Sequence, residues 1–230
     1  MCRKKSMKNI IYLHICCINN WKFICAQILR KIHEAKLYDE VDEIRCVVLG
    51  NEIDPLFFRD PKMKVIFHSE NIKHFEYPIM KQIYQDSLSE DFNILYLHTK
   101  GVTSPENKNI TEWIYYMLFF NVTNYKDCLE KLSEYDVVGV NLREKNNQLQ
   151  FEGNFWWSKS SYIRTLNIIE KELHEEGNEY IPVSYITSSK GTFFSFKDSE
   201  VNHYVQSYVK ENYRSFPDQT IENKSYVIEK

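Results

Sequence analysis

Apolar residues along this chain follow two alternating rhythms, and the alternation predicts the architecture. Asn9 to Cys17 is a nearly continuous apolar run, the pattern of a strand buried on both faces. After the polar turn Ile18-Asn19-Asn20, the residues Trp21, Ile24, Cys25, Ile28, Leu29 and Ile32 recur along one helical face. They predict an amphipathic helix to about Leu37. Ile44 to Leu49 reads as a second strand, stopped by Gly50-Asn51. The opening is therefore a βαβ unit, with the right-handed crossover such units take.

The rhythm continues beyond a loop carrying Pro55 and Pro61. Lys64 to His68 reads as a third strand, and Pro78 opens a helix whose buried face is Ile79, Met80, Ile83, Tyr84 and Leu88. Asn93 to Leu97 is a fourth strand, running straight into His98-Thr99-Lys100-Gly101. A long helix is expected from about Thr111 to Glu134, capped by Thr111 or Asn109, its first half apolar nearly all round. Val137 to Asn141 reads as a fifth strand, Glu144 to Gln150 as a polar loop, and Phe151 to Trp157 as an aromatic segment. A helix with Tyr162, Ile163, Leu166, Ile169 and Leu173 on one side follows, then a strand at Phe193 to Phe196. Alternating strands and helices predict one α/β domain, a Rossmann-like, mostly parallel central sheet flanked by helices.

Composition narrows this picture little. The 230 residues suit a single domain, and 27% charged residues with a net charge of −3 give no electrostatic case for nucleic acid. Cys2, Cys16, Cys17, Cys25, Cys46 and Cys128 form no CxxC pair and read as reduced, mostly buried thiols of a cytoplasmic protein. The basic start before Ile10 lacks a small-residue cleavage site, so no signal peptide is expected, and no transmembrane segment is visible. Peripheral membrane association stays open. The sequons at Asn109, Asn121 and Asn223 read as accidental without a secretion signal.

Candidate chemistry gathers at two places. In open α/β sheets ligands sit beyond the carboxyl ends of the strands, where His98-Thr99-Lys100-Gly101 falls. The plain reading is a polar turn. The functional reading has Lys100 pairing with a diphosphate as a point charge and Gly101 turning backbone N–H groups toward phosphate oxygens. His98 offers hydrogen bonding or a metal nitrogen, although hard cations want carboxylate oxygens and the nearest in sequence is Glu106. The second place is Phe151 to Trp157. Composition favours packing there, yet Glu152-Gly153-Asn154 is a polar triplet within an apolar run and needs partners. Asn154 can serve sugar hydroxyls, and the indoles of Trp156 and Trp157 can form a platform on the acceptor side.

With these residues in view, the order of parts resembles the glycosyltransferases of the GT-A fold. The likeness is greatest to the glycogenin-like type and to a poorly characterised set from bacteria and large DNA viruses. That set carries Leu-His-Thr-Lys-Gly and Gly-Asn-Phe-Trp-Trp, which match Leu97 to Gly101 and Gly153 to Trp157. The rest of the likeness, over roughly residues 8 to 200, is one of topology. The family's Asp-x-Asp, which holds a divalent metal and the donor diphosphate, is replaced here by His98-Thr99-Lys100.

The resemblance implies transfer of a sugar from a nucleoside diphosphate sugar, with UDP favoured, to a glycan acceptor hydroxyl. Residues 8 to 150 would form the donor half and 151 to 230 the acceptor half and tail. Lys100, Thr99, Gly101, Asn141, Gly153, Asn154, Ile15 and Asn19 would bind the donor, with the stretch from Ile15 to Trp21 facing the base. Lys100 would stand in for the charge of the Mn or Mg ion the family uses. Glu152 and His98 would be catalytic, Glu152 ahead of Glu175, Glu176 and Glu179 as the base. Asp136, at the opening of its strand, lies at the wrong end of the sheet.

Three other classes compete. A catalytically inactive module that holds glycan or nucleotide explains the lost aspartates, but not the retained Lys100, Asn141 and Asn154. A nucleotidyltransferase wants a glycine-rich basic loop after the first strand, and a dinucleotide oxidoreductase wants GxGxxG there. Ile18-Asn19-Asn20-Trp21 supplies neither.

Overall fold

The computed structural model describes residues 7–145, 147–169, 181–214 and 224–228. The expected opening unit is present. Strand β1 (Lys8–Cys16), helix α1 (Trp21–Glu34), a single turn α2 (Leu37–Glu40) and strand β2 (Glu43–Leu49) lead to β3 (Met63–Ser69). Helix α3 (Tyr77–Ser87) carries Pro78 in its first turn, where a missing N–H leaves no bond unmade, and β4 (Phe92–His98) follows. Beyond it lie α4 (Lys108–Leu118), α5 (Tyr125–Lys131), β5 (Val137–Gly139) and the antiparallel pair β6 (Leu142–Lys145) and β7 (Gln148–Phe151). The chain closes with β8 (Trp156–Lys159), α6 (Ser160–Ile163), α7 (Ile181–Tyr185), β9 (Gly191–Ser195), α8 (Glu211–Arg214) and β10 (Lys224–Ile228).

Eight strands make one sheet in the order β10-β9-β5-β8-β4-β1-β2-β3. β1 pairs in parallel with both β2 and β4, β2 with β3, and β5 with β9; β8 and β10 run antiparallel to their neighbours. The chain thus fills one side of β1 and then crosses to the other. The carboxyl ends of β1 and β4, where His14 lies beside His98, form the switch point at which such sheets bind ligands.

Alternation assigns each strand's side chains to two cores. Ile11, Leu13, Ile15, Leu95, Leu97, Val138 and Trp157 pack with α1, α4 and α5. Tyr12, Ile94, Tyr96, Val137, Trp156 and Phe193 pack with α3, α6 and α7. A sheet covered on both faces has the continuous apolar strands that mark parallel pairing. Cys17, Cys25, Cys46 and Cys128 are buried thiols within it.

Several expectations are corrected. The helix expected over 111–134 starts earlier, at Lys108, with the side chain of Asn107 accepting from the N–H of Asn109 as its cap. It also breaks into α4, a π turn over Phe119–Thr123, and α5. Buried Asn121 sits in that turn, its amide on the carbonyl of Met117 and its own carbonyl taking the indole N–H of Trp157 at 2.8 Å. The polar loop expected over 144–150 is the β6-β7 hairpin, and the helix expected after Trp157 is preceded by β8 and ends at Ile163. Leu173, Glu175, Glu176 and Glu179 lie outside the described residues.

Trp157 is fully buried and bonded to the π turn, so Trp157→Ala should cost about 3–5 kcal/mol. A urea denaturation midpoint within error of wild type would contradict this packing.

Candidate functional site

The site is built where β1 and β4 end. Thr99 ties the two ends together: its N–H donates to the carbonyl of His14 at 3.0 Å, and its hydroxyl accepts from the N–H of Cys16 at 2.9 Å. Thr99 is therefore a buried strut. Beyond it Gly101 turns with φ +86°, and a Cβ there would stand 2.6 Å from Ile110 of α4. Lys100 is projected over the ring of Trp113, 3.9 Å from its centre, with the ring of Tyr204 at 5.6 Å. It makes no ion pair within 4 Å among the described residues. Burial pushes its pKa down to about 8, against the pull of Glu76 and Glu152.

Glu76 reaches the same place from the residue preceding α3. The far end of that helix is fixed by Asp86, which accepts from the Tyr12 hydroxyl at 2.6 Å and from Arg45 at 2.8 Å. With α3 so anchored, its start projects Glu76 over the carboxyl end of β4. One carboxylate oxygen accepts from the Tyr96 hydroxyl and from the Asn154 amide, the latter at 2.6 Å. The other lies 4.0 Å from His98 Nδ1. The remaining ring nitrogen of His98 donates to the carbonyl of Gly153 at 3.0 Å, because a carbonyl can only accept. Nδ1 of the neutral ring is then a lone pair facing a carboxylate oxygen.

Burial lowers the pKa of His98, and it takes His14 down to about 4, so both rings are neutral at pH 7. Burial would favour the neutral acid at Glu76 as well, but the surrounding electrostatics hold its carboxyl below the ordinary range. In the acid range where this carboxyl titrates, the charges that His98 and then His14 take up are the largest causes, followed by the Tyr96 hydrogen bond and the Lys100 charge.

A cleft of about 270 Å³ opens above these groups, lined by Glu76, His98, Lys100, Trp113, Glu152 and Asn154 together with the β6-β7 hairpin and Tyr204. Gly153 forms its floor at φ +95°, where a Cβ would meet the Met117 sulfur at 2.3 Å. A narrower groove, about 30 Å³, adjoins on the other side of Lys100 between α1 and α4, lined by Asn20, Phe23, Gln27 and Tyr115. The carbonyl oxygen of the Asn20 side chain is buried there without a partner. Lys100 lines both hollows.

Of the residues singled out by sequence, His98, Lys100, Glu152, Gly153 and Asn154 meet at the cleft, and Gly101 lines the groove. The others do not reach the cleft. Ile15, Trp156 and Trp157 are wholly inside the two cores, so neither of these two indoles forms a platform on the acceptor side. Asn141 is fully buried: its side chain accepts from the Tyr116 hydroxyl and the Ser199 N–H and bonds His203. Asn19 fastens the first turn to the carbonyl of Val102. Asp136 braces Thr192 at the amino end of β5. Glu152 has cations on both oxygens, Arg143 at 3.0 Å and Lys145 at 3.6 Å.

Residues 53–214 match the model of a family described as a domain of unknown function, DUF8361. The chain belongs to the DUF8361 family. The DUF8361 span includes every residue lining the cleft and leaves β1 and α1 outside it. No curated protein matches the chain. A crystal structure of 4-diphosphocytidyl-2C-methyl-D-erythritol synthase is similar at 11% identity, over 78% of this chain and 86% of that one. The TM-score is 0.40.

The DUF8361 cleft does not fit the Mn or Mg ion of the Asp-x-Asp enzymes. One carboxylate and one imidazole face each other, with an ammonium nearby, whereas such ions are held through carboxylate and phosphate oxygens. Among the described residues no three His, Cys, Asp or Glu side chains stand so as to hold a metal. No described helix is long and apolar enough to cross a membrane.

Sequence reasoning missed Glu76, His14, Trp113 and Tyr204. Glu76 had one usable signal, its place immediately before the Tyr77-Pro78 helix start, at the carboxyl edge of an α/β sheet.

A lysine with a depressed pKa costs stability wherever the unfolded chain holds it protonated. For Lys100 the cost is complete below about pH 8 and vanishes above the unfolded value near 10.5. Lys100→Met should therefore raise stability at pH 7 by roughly 1–3 kcal/mol, or several degrees in Tm. The gain should shrink as the pH rises from 8 to 10.5. Thermal melts across that range check it; an unchanged or lower Tm at pH 7 would refute the buried-charge account.

Proposed function

We propose that this DUF8361 protein is a glycosyltransferase. It moves a sugar from a nucleoside diphosphate sugar to an acceptor hydroxyl, with Lys100 in place of a metal as the partner of the diphosphate. The reading is carried by Lys100. A half-buried ammonium that stands over an aromatic ring, with no ion-paired carboxylate among the described residues, is a cation kept for an anionic ligand. Its position on the cleft supports an anionic ligand whose sugar enters that cleft. A glycan is the acceptor that fits the cleft's polar rim of Gln148, Gln150 and Lys145.

The test is donor hydrolysis over a panel of UDP-, GDP- and dTDP-sugars, with Mn²⁺ and with EDTA. Turnover of one UDP-sugar that survives EDTA is expected. Turnover abolished by EDTA would return the charge to a metal, and silence with no thermal shift from any nucleotide would favour a module that only binds glycan. Lys100→Ala should fold normally and bind UDP at least tenfold more weakly; unchanged UDP affinity would sink the diphosphate assignment.

Affinity should also follow the charge on Lys100. Because the ammonium loses its proton as pH rises through about 8, wild-type UDP affinity should fall between pH 7 and 9. The decline should be absent from Lys100→Ala, as titration calorimetry at each pH would show.

A further inference from the structure

The cleft holds two carboxylates, and their surroundings differ. Glu152 has its oxygens on Arg143 and Lys145, and Arg143 is itself fixed by Asp198 at 2.6 Å. Taking a proton there would break two ion pairs. Glu76 has one oxygen committed to Tyr96 and Asn154, while the other has no hydrogen bond among the described residues and faces the lone pair of His98 Nδ1 across 4.0 Å. Both residues line the cleft, where a donor can reach the free oxygen of Glu76. A ligand hydroxyl is such a donor.

Resting on the transferase reading above, we infer that Glu76, and not Glu152, is the base that deprotonates the acceptor hydroxyl, with His98 as its positioning residue. The free oxygen of Glu76 takes the hydroxyl proton as the acceptor oxygen forms its bond to the anomeric carbon. The bond from that carbon to the diphosphate breaks, and its electron pair leaves on the diphosphate oxygen beside Lys100. Glu76, now a carboxylic acid, has the lone pair of His98 Nδ1 facing it across 4.0 Å. The proton rests on Glu76 because a protonated His98 would place a second cation near Lys100 in a buried site, which desolvation and like charge both oppose. Tyr96 and Asn154 hold the other oxygen, so the base keeps its aim throughout. A base acting on an incoming hydroxyl gives direct displacement and inversion at the anomeric carbon.

The experiment uses the full chain with water as acceptor and the nucleotide sugar that wild type hydrolyses. Glu76→Gln keeps the shape and an oxygen for Tyr96 and Asn154 but cannot take the proton. Its kcat should fall at least 100-fold, while the Kd for UDP, set by Lys100, stays within threefold of wild type. Glu76→Asp, which keeps the carboxylate one methylene shorter, should recover part of kcat, a rescue that a merely structural role would not give. Formate should restore turnover to Glu76→Ala. A Glu76→Gln enzyme within threefold of wild-type kcat overturns the inference and leaves the transferase reading standing; so does a retained anomeric configuration. Wild type silent on every donor overturns both.

Discussion

A buried carboxylate must be repaid in hydrogen bonds, and Glu76 shows what that demand does to a fold. Its ionised form survives in the cleft because Tyr96 and Asn154 donate to one oxygen and Lys100 stands near. Those partners come from three parts of the chain: the body of β4, its carboxyl end, and the turn before β8. Asn154 can donate only because it adopts φ +58° behind Gly153, and Gly153 fits only because no Cβ stands against Met117 and Trp113. Satisfying one charge thus fixes the start of α3, the floor of the cleft and the ring of His98 in one arrangement. Each would be free to drift without the others.

The same logic explains why Lys100 lies where it does. An ammonium on the surface would be solvated and indifferent to its position. Here Trp113 replaces part of its water with a ring face, an exchange worth about 0.5–2 kcal/mol, which does not cover the cost of desolvation. The residue is held at a loss by a strand end that Thr99 locks to β1 and by a turn that Gly101 permits. Local strain and unmet charge concentrated at a sheet's switch point are what a binding site needs before its ligand arrives.

Much of this was legible in the sequence, and the residues explain which part. β1 to β4, α1 and α3 follow from apolar periodicity because each is long enough to show its period; β9 was likewise readable from Phe193-Phe194. β6, β7 and β8 were not, since four-residue strands carry no period, and a hairpin of Arg143, Glu144, Lys145 and Gln148 looks like a loop until its partner strand is known. Trp156 and Trp157 suggested a platform because tryptophan suits sugars. The inserted antiparallel β8 sends one indole to each face of the sheet, and both vanish into core. His98 and Lys100 were placed at the cleft by strand-end position and Asn154 by its polar triplet within an apolar run, whereas Asn141 had a strand-end position and was drawn inward by Tyr116, Ser199 and His203.

Glu76 escaped for a deeper reason. Its role depends on the far end of its own helix, where Arg45 and Tyr12 clamp Asp86, and on a turn 78 residues away that supplies Asn154. Neither dependence leaves a local trace. Sequence order assigned the catalytic carboxylate to Glu152 because it sits among Gly153, Asn154 and the aromatics. Glu152 does line the cleft, but Arg143 and Lys145 arrive with it from the hairpin that delivers it and engage both its oxygens. Proximity in sequence marks where a cleft will form, while the availability of a lone pair within it is decided by what else folds against that group. Of the cleft's two carboxylates, Glu76 is the one that keeps an oxygen unengaged by the described residues, and the proposed transfer rests on that difference.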